Sequence, residues 1–122
     1  MLEKRGQQYH RARLGEAVRE EIETILEGEL ADPRIGLVNV SEVQMAPDSR
    51  SAHIFVVVQG DDDEAERTLM GLTAARGFIR HELAERLQMR HPPELFFQVD
   101  RSQQYQARIT ELLDRTKKRS KK

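Results

Sequence analysis

The chain has no cysteine. That absence removes disulfide scaffolds, thiolate zinc sites, iron–sulfur clusters and cysteine nucleophiles together, and a reducing cytoplasm is the expected compartment. Aromatic residues make up only 5% of the chain, too few for a single-strand binder built on base stacking. Phe55, Phe96 and Phe97 fall in strand-like segments and read as core, while Phe78 beside Gly77 can be read either way. Long apolar runs are missing as well. The longest, Ile54 to Val58, is far below the roughly 20 residues that cross a bilayer. Met1 to His10 has basic residues but no apolar stretch after them, so no secretory signal is read there.

What is present amounts to one domain: 122 residues, enough to bury about 65% of the unfolded surface around a single core. The formal net charge of −1 conceals a strong asymmetry. Residues 1–14 carry Lys4, Arg5, Arg11 and Arg13 against Glu3, for +3; residues 115–122 carry Arg115, Lys117, Lys118, Arg119, Lys121 and Lys122 with no acid, for +6; the rest sums to −10. Two basic ends flank an acidic body. A block of like charge without apolar residues does not fold alone, so residues 115–122 are expected to be a disordered basic tail that either solubilises the chain or engages phosphate.

Leu14, Ala17, Val18, Ile22, Ile25, Leu26 and Leu30 follow the three-and-four spacing of a helical face, which Asp32-Pro33 should end near Ala31. Leu37 to Met45 reads as a strand that is bulged or covered on both faces, because Val38 and Val40 differ in parity from Val43 and Met45. After the turn Ala46 to Arg50, Ser51 to Gln59 reads as a central strand, giving an antiparallel hairpin. Gly60 closes it, and Asp61 to Glu64 suits a helix N-terminus. The stripe Ala65, Leu69, Leu72, Thr73 is followed by a second, Ile79, Leu83, Leu87, with Ala75 and Gly77 marking a kink between two helices. His91-Pro92-Pro93 stops the second. Glu94 to Asp100 is a strand with Leu95, Phe97 and Val99 turned one way, and Ser102 caps a short last helix with Tyr105, Ile109 and Leu112 on one face. The expected fold is α+β: a three-stranded sheet with helices on one face, occupying residues 1–114.

Catalytic constellations are not found. His10, His53, His81 and His91 lack metal-binding spacing, and there is no P-loop or Gly-x-Gly-x-x-Gly after a strand. Asp61 to Glu64 could collect a divalent ion, but helix capping accounts for these acids with fewer assumptions. Anion binding has a better case at the kink. Arg76 and Arg80 lie four apart, as do Arg86 and Arg90, so each pair would share a helical face and hold neighbouring phosphates, unless Glu82, Glu85 or other carboxylates pair with them. Gly77 would let a phosphate backbone approach the N–H groups of the following helix. Recognition of a structured RNA through backbone and shape fits this composition.

Asp32-Pro33-Arg34 before a Val-rich strand, Asp48 and Ala52 leading into Ile54-Phe55-Val56, Ala75-Arg76-Gly77-Phe78-Ile79-Arg80, and Pro93-Glu94-Leu95-Phe96-Phe97 with Asp100 and Ser102 together resemble the ribosome-binding factor A family, bacterial small-subunit assembly proteins. The resemblance runs from Arg11 to about Leu113. It implies a type II KH-like domain of order α-β-β-α-α-β in which Ala75-Arg76-Gly77 replaces the Gly-x-x-Gly loop of many KH domains. It further implies a protein that is not an enzyme, binds the small (30S) ribosomal subunit and its 16S rRNA, supports maturation of the RNA's 5′ end and matters most in the cold; no cofactor is expected, and since nothing in the sequence demands a dimer, a monomer is expected. Assembly GTPases and initiation factors are the candidates for triggering release, and no membrane is involved. The implied RNA contacts are Arg76, Gly77 and Arg80, with Arg90 and the tail residues Lys117, Lys118, Arg119, Lys121 and Lys122 as further candidates. The competing reading is a protein–protein adaptor of the translation machinery that uses the acidic surface.

Overall fold

A computed structural model of the chain describes residues 5–28, 30 and 32–120. Its elements are α1 (Arg5–Gly28), β1 (Val38–Met45), β2 (Ser51–Val58), α2 (Asp62–Ala74), α3 (Arg76–Arg86), β3 (Glu94–Val99) and α4 (Ser102–Ser120). The order α-β-β-α-α-β followed by a helix is the expected one.

The first helix starts well before its apolar stripe. Arg5 to Arg13 extends it outward, with the Arg13 guanidinium 5.7 Å from the centre of the Tyr9 ring and its Nη1 donating to Tyr9 Oη at 3.2 Å. From Leu14 onward the stripe sinks into the core, where Val18, Ile22 and Ile25 are fully buried. The expected end at Ala31 lies outside the described residues; the helix itself stops at Gly28.

The sheet order is β1-β2-β3, with β1 antiparallel and β3 parallel to the central β2. The conflicting parity in β1 is resolved by a bulge: the register shifts between Val40 and Glu42. This extra residue, Ser41, lets Val40 and Val43 both face inward. Glu23 of α1 accepts the Val40 N–H at 2.5 Å, joining helix to strand at that point. Val40, Ala52, Ile54, Val56 and Leu95 from the sheet then meet Val18, Ile22, Ile25, Leu72, Ile79 and Leu83 from α1, α2 and α3 in one core.

Three expectations need correction. In α2 the buried hydroxyl belongs to Thr68, not Thr73; its Oγ1 accepts the Gly36 N–H at 3.3 Å. Phe96 is not core. Alternation with Leu95 and Phe97 puts it on the sheet face that the helices leave open, 42% exposed and stacked 5.4 Å from His53. Phe55 shares that outer face and is half-buried. The last helix is not short: α4 runs through Arg115 to Ser120, into the segment expected to be disordered. A Glu111–Arg115 ion pair one turn apart (2.7 Å) and the high helix propensity of Lys and Arg carry it across that boundary. Its N-terminal link comes from Asp100, whose Oδ1 accepts the Ser102 N–H at 2.9 Å.

Candidate nucleic-acid interface

The junction of α2 and α3 is built on Ala75. Asp61 caps α2 by accepting the Glu64 N–H at 2.9 Å, which is the helix-capping role expected of the acidic run. Gly60 ahead of it has φ +118, a conformation that disfavours any side chain. At the far end, Ala75 leaves helical geometry with φ −86 and ψ 2; its N–H donates to Gly71 O and its carbonyl accepts from Ile79 N, both at 3.0 Å. One residue thus ends one helix and begins the next. The kink falls there rather than at Gly77, which sits in the first turn of α3, where N–H groups lack intrahelical acceptors. A Cβ on Gly77 would meet nothing within 4 Å, so the space over this turn is open to a ligand.

A loop missed as a site component forms one wall of the junction. Asp32-Pro33-Arg34 is more than a helix stop. Arg34 Nη2 binds Asp32 Oδ2 at 2.7 Å while its Nε and backbone N–H both donate to Oδ1 (3.1 and 2.9 Å). Arg34's hydrogen bonds hold the Asp32 carboxyl at about 2. The loop then lies so close to α2 that a Cβ on Gly71 would come within 2.7 Å of Ile35 Cγ1. Leu30, Asp32, Pro33, Arg34, Ala74 and Ala75 enclose an open basin of about 650 Å³ beside the junction. Arg67 borders a smaller adjoining cleft with Arg34. Nothing in the sequence spacing marks Arg34 or Arg67, because the chain crossing between α1 and β1 brings Arg34 beside Arg67 of α2.

The structure separates the arginines singled out in the sequence. Arg76 is exposed and makes no hydrogen bond or ion pair with a described residue. Arg80 is one turn further but half-buried: its Nε donates to Pro92 O (3.2 Å) and Pro93 O (3.1 Å), and its Nη2 to Pro92 O (2.8 Å). It fastens the α3–β3 connection to the helix, and only part of its guanidinium remains for a phosphate. Arg86 and Arg90 do not share a helical face, because α3 ends at Arg86 and Gln88 adopts φ 51. Arg86 ties α3 to α1, 3.6 Å from both Glu21 and Glu82. Arg90 is exposed in the α3–β3 connection. Lys117, Lys118 and Arg119 lie within the helical backbone of α4, and Lys121 and Lys122 are outside the described residues. His81, Glu82 and Glu85 cluster within 4.8 Å on α3, but Glu82 is already engaged by Arg86 and the other two form an exposed pair at 3.2 Å.

The family model for ribosome-binding factor A matches residues 10–113. The chain belongs to the ribosome-binding factor A family. It is 56% identical over 120 residues to the ribosome-binding factor A of Koribacter versatilis, covering 98% of both chains. Among solved structures it resembles the crystal structure of ribosome-binding factor A from Thermus thermophilus, with TM-score 0.66 and 26% identity over 73% of this chain and 93% of that one. It also resembles a Thermus thermophilus ribosome-binding factor A homology model fitted into a map of a 30S complex, with TM-score 0.55 and 30% identity over 75% of this chain and 92% of that one. No described helix is long and apolar enough to cross a membrane.

Proposed function

We propose that this protein is a ribosome-assembly factor that works in the cytoplasm, binding the free or immature small ribosomal subunit through its 16S rRNA. It assists maturation of the RNA's 5′ end and late subunit assembly, chiefly during growth in the cold, and leaves when an assembly GTPase or initiation factor displaces it. The nearly full-length match to a relative named ribosome-binding factor A carries this reading. The mechanism is binding without bond chemistry: a protein that prefers one RNA conformation shifts the population toward it by its differential affinity.

In this reading Arg76 makes the principal phosphate contact, and Gly77 admits the RNA backbone to the first-turn N–H groups of α3. Arg80 adds what its remaining guanidinium donors can reach. Arg90 and the cations from Lys117 to Lys122 contribute long-range attraction. Each phosphate neutralised should steepen the fall of log affinity with log salt by about 0.7 to 0.9.

Gradient sedimentation of cell extract tests the reading. The protein should travel with small subunits, increasingly so when these accumulate in the cold. Remaining with free proteins under those conditions would refute it. Subunit affinity that withstands both high salt and neutralisation of Arg76 and the tail would instead indicate an adaptor that uses its acidic surface.

A further inference from the structure

Two surfaces lie uncovered among the described residues: a sheet face whose apolar residues are confined to its centre and β3 side, and an apolar helical stripe of matching spacing. The first is the outer face of the sheet. His53, Phe55 and Val57 run along its centre on β2, flanked by Asn39, Glu42 and Gln44 of β1 and by Phe96 and Gln98 of β3. The second is the stripe on α4 of Tyr105, Ile109, Leu112 and Leu113. Tyr105, Leu112 and Leu113 are 68%, 52% and 59% exposed, and α4 has no extended packing against any other element.

Their spacings agree. Alternate residues on a strand are about 6.7 Å apart, and residues four apart on a helix rise about 6 Å. The starting points agree too: α4 begins two residues after β3 ends, and the Asp100 N–H donates to Val56 O at 2.7 Å, at the Val57 end of the face. A helix laid from there along β2 sets Tyr105 over Val57, Ile109 over Phe55, and Leu112 and Leu113 over the His53–Phe96 stack. Arg108 and Arg115 lie along one side of the stripe, so a docked α4 turns both toward a single sheet edge, where one exposed acid, Glu42 on β1 or Glu94 on β3, can meet them. Two contacts set the present direction of α4: an exposed Arg101–Asp62 pair at 2.8 Å and the Ser102–Asp100 hydrogen bond. A pair this exposed is weak in water.

We propose that α4 docks across the outer face of its own sheet, giving a closed form of the molecule beside the extended one. The two-residue connector raises the local concentration of the helix far above that of any second copy, so the occupant is the same chain's α4. Closing covers Phe96, Tyr105, Leu112 and Leu113 and turns Arg108 and Arg115 toward one edge of the sheet; opening frees both surfaces. The inference does not depend on which RNA the protein binds.

The lack of native cysteine allows a direct test with nitroxide labels on Pro47→Cys, in the exposed β1–β2 turn beyond the face, and Asp114→Cys in the full chain, read by pulsed electron resonance. Docking brings the labels within about 20 Å, whereas the extended helix adds about 18 Å of its own rise to the length of the sheet. The expected result is a short-distance population that persists when labelled protein is diluted with unlabelled protein and disappears in Leu112→Glu/Leu113→Glu, a change outside the core. A long distance alone overturns the proposal. So does a short distance lost on dilution, which would assign the contact to a second copy, or one that survives the double substitution.

Discussion

Helices α1 and α4 carry apolar residues at the same three-and-four spacing, yet α1 buries Val18, Ile22 and Ile25 completely while α4 leaves Tyr105, Leu112 and Leu113 in water. The difference lies in what the neighbouring chain offers. Gly15 lets α1 come so close to β1 that a Cβ there would sit 3.0 Å from Val43 O, and Glu23 takes the N–H of Val40 beside the bulge. Beside α4, Asp100 and Arg101 make specific links, both just ahead of its first turn. Periodicity therefore shows that a face can be buried; the partner has to come from elsewhere in the chain. The same contrast recurs within α3, where Arg76 has no partner among the described residues and Arg80 is fastened.

The sharpest way to break the comparison between helices is truncation in each. Ile22→Ala should cost about 2–5 kcal/mol, because the cavity opens in a packed core. Leu112→Ala should change stability by less than about 0.5 kcal/mol. Urea denaturation of the two variants checks both values, and equal losses would mean that α4 belongs to the core and does not open. Arg80→Ala should cost about 1–3 kcal/mol by leaving the Pro92 and Pro93 carbonyls short of a donor. Arg76→Ala should leave the same unfolding curve unchanged.

The two glycines near the junction should respond with opposite signs. Gly71→Ala drives a methyl group against Ile35 and should destabilise by about 1–3 kcal/mol. Gly77→Ala meets open space within a helix and should stabilise by up to about 1 kcal/mol. If Gly77→Ala also weakens subunit binding, close approach of a ligand backbone is the cause, since folding is not impaired.

The smallest effect concerns the links at the start of α4. Hydrogen bonds from Ser102 and Ser41 hold the Asp100 carboxyl below its usual range. The ionised form is favoured in the fold, so its contribution is present above the unfolded pKa, about 3.9, and is lost as pH falls through the lower folded value. Between pH 4 and pH 2 the wild-type chain should therefore lose slightly more stability than Asp100→Asn. Parallel acid titrations followed by circular dichroism would show this, and identical curves would remove the hydrogen bonds from the account.

Much of this architecture was legible in the residues. The α1 stripe, the bulge implied by Val40 and Val43, the central position of β2 and the break near Ala75 all follow from local pattern, because local geometry alone sets them. Of the two residues expected to mark the kink, the hydrogen bonds converge on Ala75, while Gly77, singled out by propensity, lies in the first turn of α3. Phe96 was assigned to the core by residue type although its parity with Leu95 points outward. Arg80's carbonyl partners, the approach of Ile35 to Gly71 and the basin beside Arg34 were not legible, because each joins segments that only the complete fold brings together. The extension of α4 was missed because like charge was weighed above the Glu111–Arg115 pair and helix propensity.

Equilibrium binding of the wild-type protein, Arg76→Glu and Arg80→Gln to purified small ribosomal subunits across a salt series tests the central claim most directly. Wild-type affinity should fall steeply with salt. Arg76→Glu should bind at least about tenfold more weakly, with a slope shallower by about one unit. Arg80→Gln should unfold more readily while keeping most of its affinity. Equal affinities and equal slopes for wild type and Arg76→Glu would contradict the assignment of the α2–α3 junction as the RNA contact.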